Sequence, residues 1–431
     1  MKICLVGYGI SNRELLKKLI NTNNELAVSQ NRPFDQEDII FFKTNKIQYE
    51  TQHGELLKSC DLAIVSPGIT PQSEAAKIIF NNNINYTTEI EFAWEKIKTI
   101  NKKSLFVGIT GTDGKSTTTS LIGHILSYLD PLTFVGGNIG KPLIQAEENL
   151  NYYVIEISSF QIFWSKILSP EISVLINLAP DHLNWHENIE DYYLTKEALL
   201  KRTLKVAGIA VINEESLKLL NFEKYQRKSS LITFSENMFK NNTVSYLDKK
   251  IKVKNKLFDL NIFKEDLVAA VVTTLNLGVS EKLIEDAIAS YSSLKYRLQL
   301  VTTKNGVNYY NDSKATNSHA AYNAYKSFRG KNYIAILSGI PKNEDLTLLI
   351  DELKNHAKKI LVFGEMQKEI IKYHLNDKFI FKNNLEEVFL YIFEIAQEGD
   401  NVVFSPGGAS FDMYKNYEDR GEHFNRLIGL I

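Results

Sequence analysis

The chain has 431 residues, 44% hydrophobic and 23% charged. That excludes a disordered chain and leaves room for roughly two to four domains, each with its own core. A formal net charge of −1 supplies no global basic field for nucleic acid or an anionic membrane surface.

Cys4 and Cys60 both lie in apolar runs and read as reduced core thiols of a cytoplasmic protein. The opening run Met1 to Val6 is too short for a signal h-region. No apolar stretch nears the ~18 residues that a membrane span needs, so no membrane insertion is expected.

In the first domain, expected over 1–99, Lys2 to Val6 forms a strand that runs into Gly7-Tyr8-Gly9-Ile10-Ser11-Asn12-Arg13. This is two-thirds of a dinucleotide fingerprint, because Asn12 stands where the third glycine belongs. The next strand, Glu25 to Ser29, ends in Ser29-Gln30-Asn31 with no acid for a dinucleotide ribose, which argues against a nicotinamide enzyme. Another nucleotide diphosphate can rest on the same helix N-terminus. A further buried strand ends in Ser66-Pro67-Gly68-Ile69. That loop is a candidate site, although its local sequence suits a plain turn equally well.

The central domain, expected over 100–294, opens on its most informative stretch. An apolar strand, Leu105 to Ile109, leads into Gly111-Thr112-Asp113-Gly114-Lys115-Ser116-Thr117, and a helical pattern follows. A strand, a Gly-rich turn and a helix opening with Lys-Ser-Thr make a phosphate cradle, with backbone N–H groups toward the anion. Lys115 then reaches the outer phosphates and the Ser116 hydroxyl faces Mg²⁺. Gly137-Asn138-Ile139-Gly140 is a second Gly-rich turn. Glu156 interrupts the apolar run Tyr152 to Ile157, where a carboxylate is costly unless paired or metal-bound. Asp181 and His182 follow another strand, and Lys196 lies on the helix after them. Read alone, His182 suits a satisfied polar histidine and Lys196 a solvated lysine.

In the third domain, expected over 295–431, Asp312-Ser313-Lys314-Ala315-Thr316 joins a strand to a helix and also reads as an N-cap with a surface lysine. Strands over 332–337, 359–363 and 401–404 alternate with helical patterns and make another open α/β sheet.

Four segments, Gly111 to Ser116, Gly137 to Gly140, Glu156-Ile157-Ser158-Ser159-Phe160-Gln161 and Asn177 to Leu183, occur in the order of the Mur ligases. The chain resembles this family of ATP-dependent amide ligases of peptidoglycan precursor synthesis along essentially its whole length. Its Glu-x-Ser-Ser-Phe-Gln pattern and its terminal motifs resemble the D-glutamate-adding branch. The resemblance implies three α/β domains: an N-terminal Rossmann-like domain, a central P-loop ATPase-like domain with a mostly parallel sheet, and a C-terminal Rossmann-like domain. It implies UDP-N-acetylmuramoyl-L-alanine, ATP and D-glutamate as small-molecule substrates, two Mg²⁺ ions, and a monomer.

By the same resemblance, Lys115, Glu156, His182 and Lys196 are catalytic, and Ser116, Glu156, His182 and a carbamylated Lys196 serve the metal. ATP falls to the 111–117 loop with Asn261, Arg297 and Asp312. The UDP substrate falls to Gly9, Ser11, Ser66, Gly68, Asn138, Ser158 and Gln161. D-Glutamate falls to Lys314, Thr316, Lys342, Ser410, Phe411 and Tyr417. Carbamylation needs a neutral amine, hence a desolvated lysine of lowered pKa. The chain departs from the family at Asp113, where asparagine is usual, and at 260–266, where only Asn261 matches an asparagine pair. A ligase for a different amino acid and a non-catalytic nucleotide-binding protein are the rival readings.

Overall fold

The computed structural model describes residues 1–222, 230–341 and 344–430. Two compact units form, one from 1–254 with 265–289 and the other from 255–264 with 290–431. The fold is α/β, with three large, mostly parallel sheets.

The first sheet has five parallel strands in the order Gln48–Glu50, Glu25–Ser29, Lys2–Val6, Leu62–Val65, Asn85–Thr87. Its inner strands are apolar on both faces because helices cover both sides. The strand order reverses beside Lys2–Val6, so the loops after Val6 and Val65 flank a crevice of the kind that binds ligands. Asn12 explains the missing glycine. It is buried, and its amide donates to Gly7 O at 2.8 Å and Ile64 O at 3.1 Å. It ties the loop after Val6 to the neighbouring strand Leu62–Val65.

The second sheet lies in the same unit. Its six parallel strands run Leu231–Phe234, Ile209–Asn213, Ile172–Leu175, Leu105–Thr110, Tyr152–Glu156, Thr133–Gly137. The strand leading to the phosphate loop is therefore flanked by the one ending in Glu156 and the one preceding Asn177. The strand before Asn177 ends at Leu175, because the chain turns there to wrap the loop. A small antiparallel sheet, Phe239–Lys240, Thr243–Tyr246 and Lys249–Lys252, completes the unit's strands.

A continuous apolar core joins the first two sheets, and buried polar bonds fix their register. Glu91 accepts the backbone N–H groups of Lys166 (3.0 Å), Ile167 (2.6 Å) and Leu168 (2.6 Å). Trp164 Nε1 donates to Ile69 O at 2.9 Å, which anchors the Ser66–Ile69 loop to the helix Ser159–Trp164.

The third sheet belongs to the other unit. Its order is Gln299–Lys304, Val307–Asn311, Asn401–Gly407, Tyr333–Ser338, Lys359–Val362, Phe379–Phe381, with only the first pair antiparallel. Its core of Ile334, Ile336, Val402 and Phe404 packs under the helices Leu385–Ile395 and Tyr417–Gly429. Among the described residues, no helix is long and apolar enough to cross a membrane.

Candidate active site

The phosphate loop stands between the strand Leu105–Thr110 and the helix Lys115–Leu129. Gly114 caps that helix at φ +76, and a Cβ there would stand 2.0 Å from Asp266 Oδ1. Only glycine permits both the left-handed backbone and the close approach. Asp266 is itself held by Thr118 Oγ1 at 2.8 Å. The N–H groups of the helix's first turn have no acceptor within the helix and present partial positive charge.

Two other loop N–H groups are not available to phosphate. Thr112 N and Asp113 N donate to Asn177 Oδ1 at 3.2 and 2.8 Å. Asn177 Nδ2 in turn donates to Glu265 Oε2 at 2.7 Å. Burial raises Glu265 above the usual carboxylate range, and Glu236 and Asp113 add to that. Asn177 is thus the splint of the loop. The Asp113 side chain is exposed.

The reactive groups converge beside this loop. Ser116 Oγ donates to Glu156 Oε2 at 2.7 Å, and Asn138 Nδ2 to Glu156 Oε1 at 2.8 Å. Each carboxylate oxygen thus accepts one bond and keeps capacity for another. Lys115 Nζ donates to the loop carbonyls of Gly111 (3.1 Å) and Thr112 (2.7 Å). Lys196, on the helix Ile189–Lys205, is buried, and its Nζ donates to Gly111 O at 2.8 Å and Thr110 Oγ1 at 3.3 Å. Burial, with Lys115 adding to it, holds the Lys196 amine well below the ordinary lysine range. A solvated helix lysine, the plain reading of its sequence, is not what forms.

His182 has φ +56 and pairs with Asp181 at 3.3 Å, its ring edge-on to Phe160 at 4.8 Å. Burial lowers its pKa against the pull of Asp181, and Lys115 and Lys196 lower it further. Ser158 caps the helix Ser159–Trp164 in a reciprocal box with Gln161. In the first sheet, Gly9 caps the helix Ile10–Leu19, where Ser11 lies, with Ser66 and Gly68 on the neighbouring loop. The acid missing after the second strand has a near substitute in Glu50, at the end of the third. Its carboxylate accepts Ser29 Oγ at 2.7 Å and Gly54 N at 2.9 Å.

The remaining expected residues lie in the other unit. Asn261 opens a short 3₁₀ turn and is exposed. Arg297 Nε is buried without a hydrogen-bond partner among the described residues. Asp312 accepts Leu298 N at 3.0 Å and Ser405 Oγ at 2.7 Å, and burial lifts its carboxyl to about 7. Lys314 Nζ lies 5.6 Å from the Tyr417 ring centroid, Thr316 is half-buried and Ser410 is buried. Phe411 is 71% exposed. Lys342 lies outside the described residues. Two residues to which the sequence assigns no role hold this end of the sheet: Ser313, and Arg420 in the terminal stretch Asn416-Tyr417-Glu418-Asp419-Arg420-Gly421. Their only advance signal was their place inside family motifs.

Three family descriptions match the chain: "MurD N-terminal domain" over residues 2–75, "Mur ligase middle domain" over 109–329, and "Mur ligase, glutamate ligase domain" over 296–408. A curated protein of Petrotoga mobilis named UDP-N-acetylmuramoylalanine–D-glutamate ligase is 70% identical over 99% of both chains. A Thermotoga maritima protein of the same name is 34% identical over 99% of this chain and 98% of its own. Among solved structures, the MurF ligase of Thermotoga maritima in complex with ADP is 16% identical. It covers 94% of this chain and 96% of its own, with a TM-score of 0.58, a likeness of fold.

Proposed function

The chain belongs to the Mur ligase family, and we propose that it joins D-glutamate to UDP-N-acetylmuramoyl-L-alanine, releasing ADP and phosphate. As a member of that family it is an ATP-dependent ligase of peptidoglycan precursor synthesis. One observation carries the chemical reading. A phosphate loop with Lys115 and Ser116 adjoins a buried carboxylate at the end of the neighbouring strand and a buried, desolvated lysine on the helix Ile189–Lys205.

That grouping suits carboxylate activation. A free carboxylate is a poor acyl acceptor because its leaving group would be oxide. Transfer of the γ-phosphoryl group onto it gives an acyl phosphate. The amine of D-glutamate then attacks the acyl carbon, and phosphate departs from the tetrahedral intermediate. Lys115 and the N–H groups of the first helical turn offset charge on the transferring phosphoryl group. The loop carbonyls of Gly111 and Thr112 hold the Lys115 ammonium near the cradle.

The donors fit Mg²⁺, a hard cation that takes a few protein oxygens together with phosphate. Ser116 and Glu156 would hold one ion, and His182 and Lys196, the latter as its carbamate, would serve a second. Bound there, the metal would neutralise developing phosphate charge. The desolvated Lys196 amine suits carbamate formation, which requires its neutral form.

The first sheet's crevice, with Gly9, Ser11, Ser66 and Gly68, takes the UDP moiety, and Asn138, Ser158 and Gln161 face the sugar end. The third sheet takes D-glutamate at Lys314, Thr316, Lys342, Ser410, Phe411 and Tyr417, and the same unit carries Asn261, Arg297 and Asp312, which the family resemblance assigns to ATP. The division of labour follows 1–99, 100–294 and 295–431. The enzyme works as a cytoplasmic monomer.

Phosphate release with UDP-N-acetylmuramoyl-L-alanine, ATP and a panel of amino acids tests the substrate. Turnover with D-glutamate alone is expected. Activity with L-alanine, lysine or L-glutamate but not D-glutamate would overturn the choice.

A further inference from the structure

A buried guanidinium stands behind the loops at one end of the third sheet. Arg420 is 0% exposed, on the helix Tyr417–Gly429. Its Nε donates to Ser313 Oγ at 3.0 Å, its Nη2 to Ser313 O at 2.8 Å, and its Nη1 to Gly408 O at 2.9 Å. Gly339 presses on the same group. It has φ +93, and a Cβ there would lie 2.8 Å from Arg420 Nη1. Ser313 passes the chain of bonds on, donating its hydroxyl to Tyr417 O at 2.8 Å. Ile340 and Ala409 add a mutual backbone bridge, at 2.7 and 2.8 Å, between two of the loops.

These contacts reach the loops that leave three strands adjacent in the sheet: Val307–Asn311, Asn401–Gly407 and Tyr333–Ser338. The three loops lead into Lys314 and Thr316, into Ser410, and into Ile340. Among the described residues, the three hydrogen bonds of Arg420 all end on neutral oxygens, while Asp412 and Asp312 act on it only at longer range. Burial draws the guanidinium down to about 10, so it remains a cation at neutral pH. A buried cation whose hydrogen bonds go to neutral groups favours an anion arriving nearby.

We propose that Arg420 is the positioning residue of the amino-acid subsite: its planar fork sets the three loops in mutual register, and its charge biases them toward a dicarboxylate. The proposal rests on the reading that the third sheet takes D-glutamate. Arginine suits the role because its fork presents donors in fixed directions, which lysine cannot reproduce.

The experiment measures KM for D-glutamate, KM for ATP, kcat and thermal midpoint for the full-length enzyme and its R420M, R420K and S313A variants. R420M is expected to raise KM for D-glutamate about tenfold or more, the scale of lost charge-assisted bonds, while KM for ATP stays within about twofold. S313A keeps the guanidinium but removes one acceptor, and is expected to fall between wild type and R420M. R420K keeps the cation and loses the fork, so it recovers only part of the loss.

An unchanged D-glutamate KM in R420M, or both KM values rising by one common factor, overturns the proposal, as does full recovery by R420K. If R420M does not fold, the D-glutamate KM of S313A decides alone, with no change counting against the proposal. Failure of the substrate reading is visible separately, as wild-type enzyme that does not turn over D-glutamate. The same variants are then scored on the amino acid it does use.

Discussion

Replacing Asp312 by asparagine probes the electrostatics of the third-sheet site quantitatively. The wild-type carboxyl is 8% exposed and accepts two bonds, from Leu298 N and Ser405 Oγ. Burial outweighs those bonds and lifts it from 3.8 to about 7. The folded state therefore holds this proton more tightly than the unfolded chain does. Its contribution to stability is full below pH 3.8 and is lost as pH rises to about 7. A displacement of that size is worth about 4 kcal/mol over the whole window, of which about 2 kcal/mol falls between roughly pH 5.5 and pH 8.

Asparagine cannot ionise. Its carbonyl still accepts the Leu298 N–H, and its amide nitrogen can donate to Ser405 Oγ. Urea unfolding of both proteins across that range should show D312N gaining about 2 kcal/mol on wild type as pH rises. With Asp312 assigned to ATP, the variant also raises KM for ATP. Parallel stability curves with a constant offset would refute the reasoning, because they would mean that the carboxyl titrates alike in both states.

Glu89, almost wholly buried with one bond from Ile144 N at 2.7 Å, is raised by burial from 4.5 to about 7. The sign is the same: E89Q should gain about 3 kcal/mol on wild type as pH rises from 4.5 through about 7, read by urea unfolding, and a pH-independent difference would count against it. K196A should lose about 100-fold or more in turnover, with partial return on adding short carboxylates in phosphate-release assays; full turnover without them would remove the carbamate assignment. G114A drives a Cβ to 2.0 Å from Asp266 Oδ1 at a left-handed backbone position, so nucleotide binding followed by calorimetry should fall about tenfold or more. Wild-type affinity would show that the loop relaxes freely.

The phosphate loop was legible because its elements are local: a strand, a glycine turn and a helix with Lys115 and Ser116 at fixed spacing. Glu156 was legible for a different reason, as a carboxylate inside an apolar run. What the sequence left open depends on contacts between distant segments. Asn177 splints Thr112 and Asp113 across a gap of more than sixty residues, and no local pattern encodes that. Lys196 has the spacing of a surface helix lysine, and only packing against Gly111 and Thr110 buries it. Arg420 sits in the terminal stretch Asn416 to Gly421, but its three bonds go to loops at the ends of different strands. Asn12 shows the reverse case. A missing glycine read as a weak fingerprint is, in the fold, a side-chain tie between the loop after Val6 and the strand Leu62–Val65. The third-sheet strand starting at Asn401 runs through Pro406 to Gly407 rather than ending at Phe404.

The central claim is that a carboxylate is activated by phosphorylation before an amide forms. UDP-N-acetylmuramoyl-L-alanine labelled with ¹⁸O in its alanine carboxylate, turned over with ATP and D-glutamate, tests it directly. The account predicts that one labelled oxygen appears in each phosphate released, read by mass spectrometry. Unlabelled phosphate, with both labelled oxygens accounted for elsewhere, would contradict it.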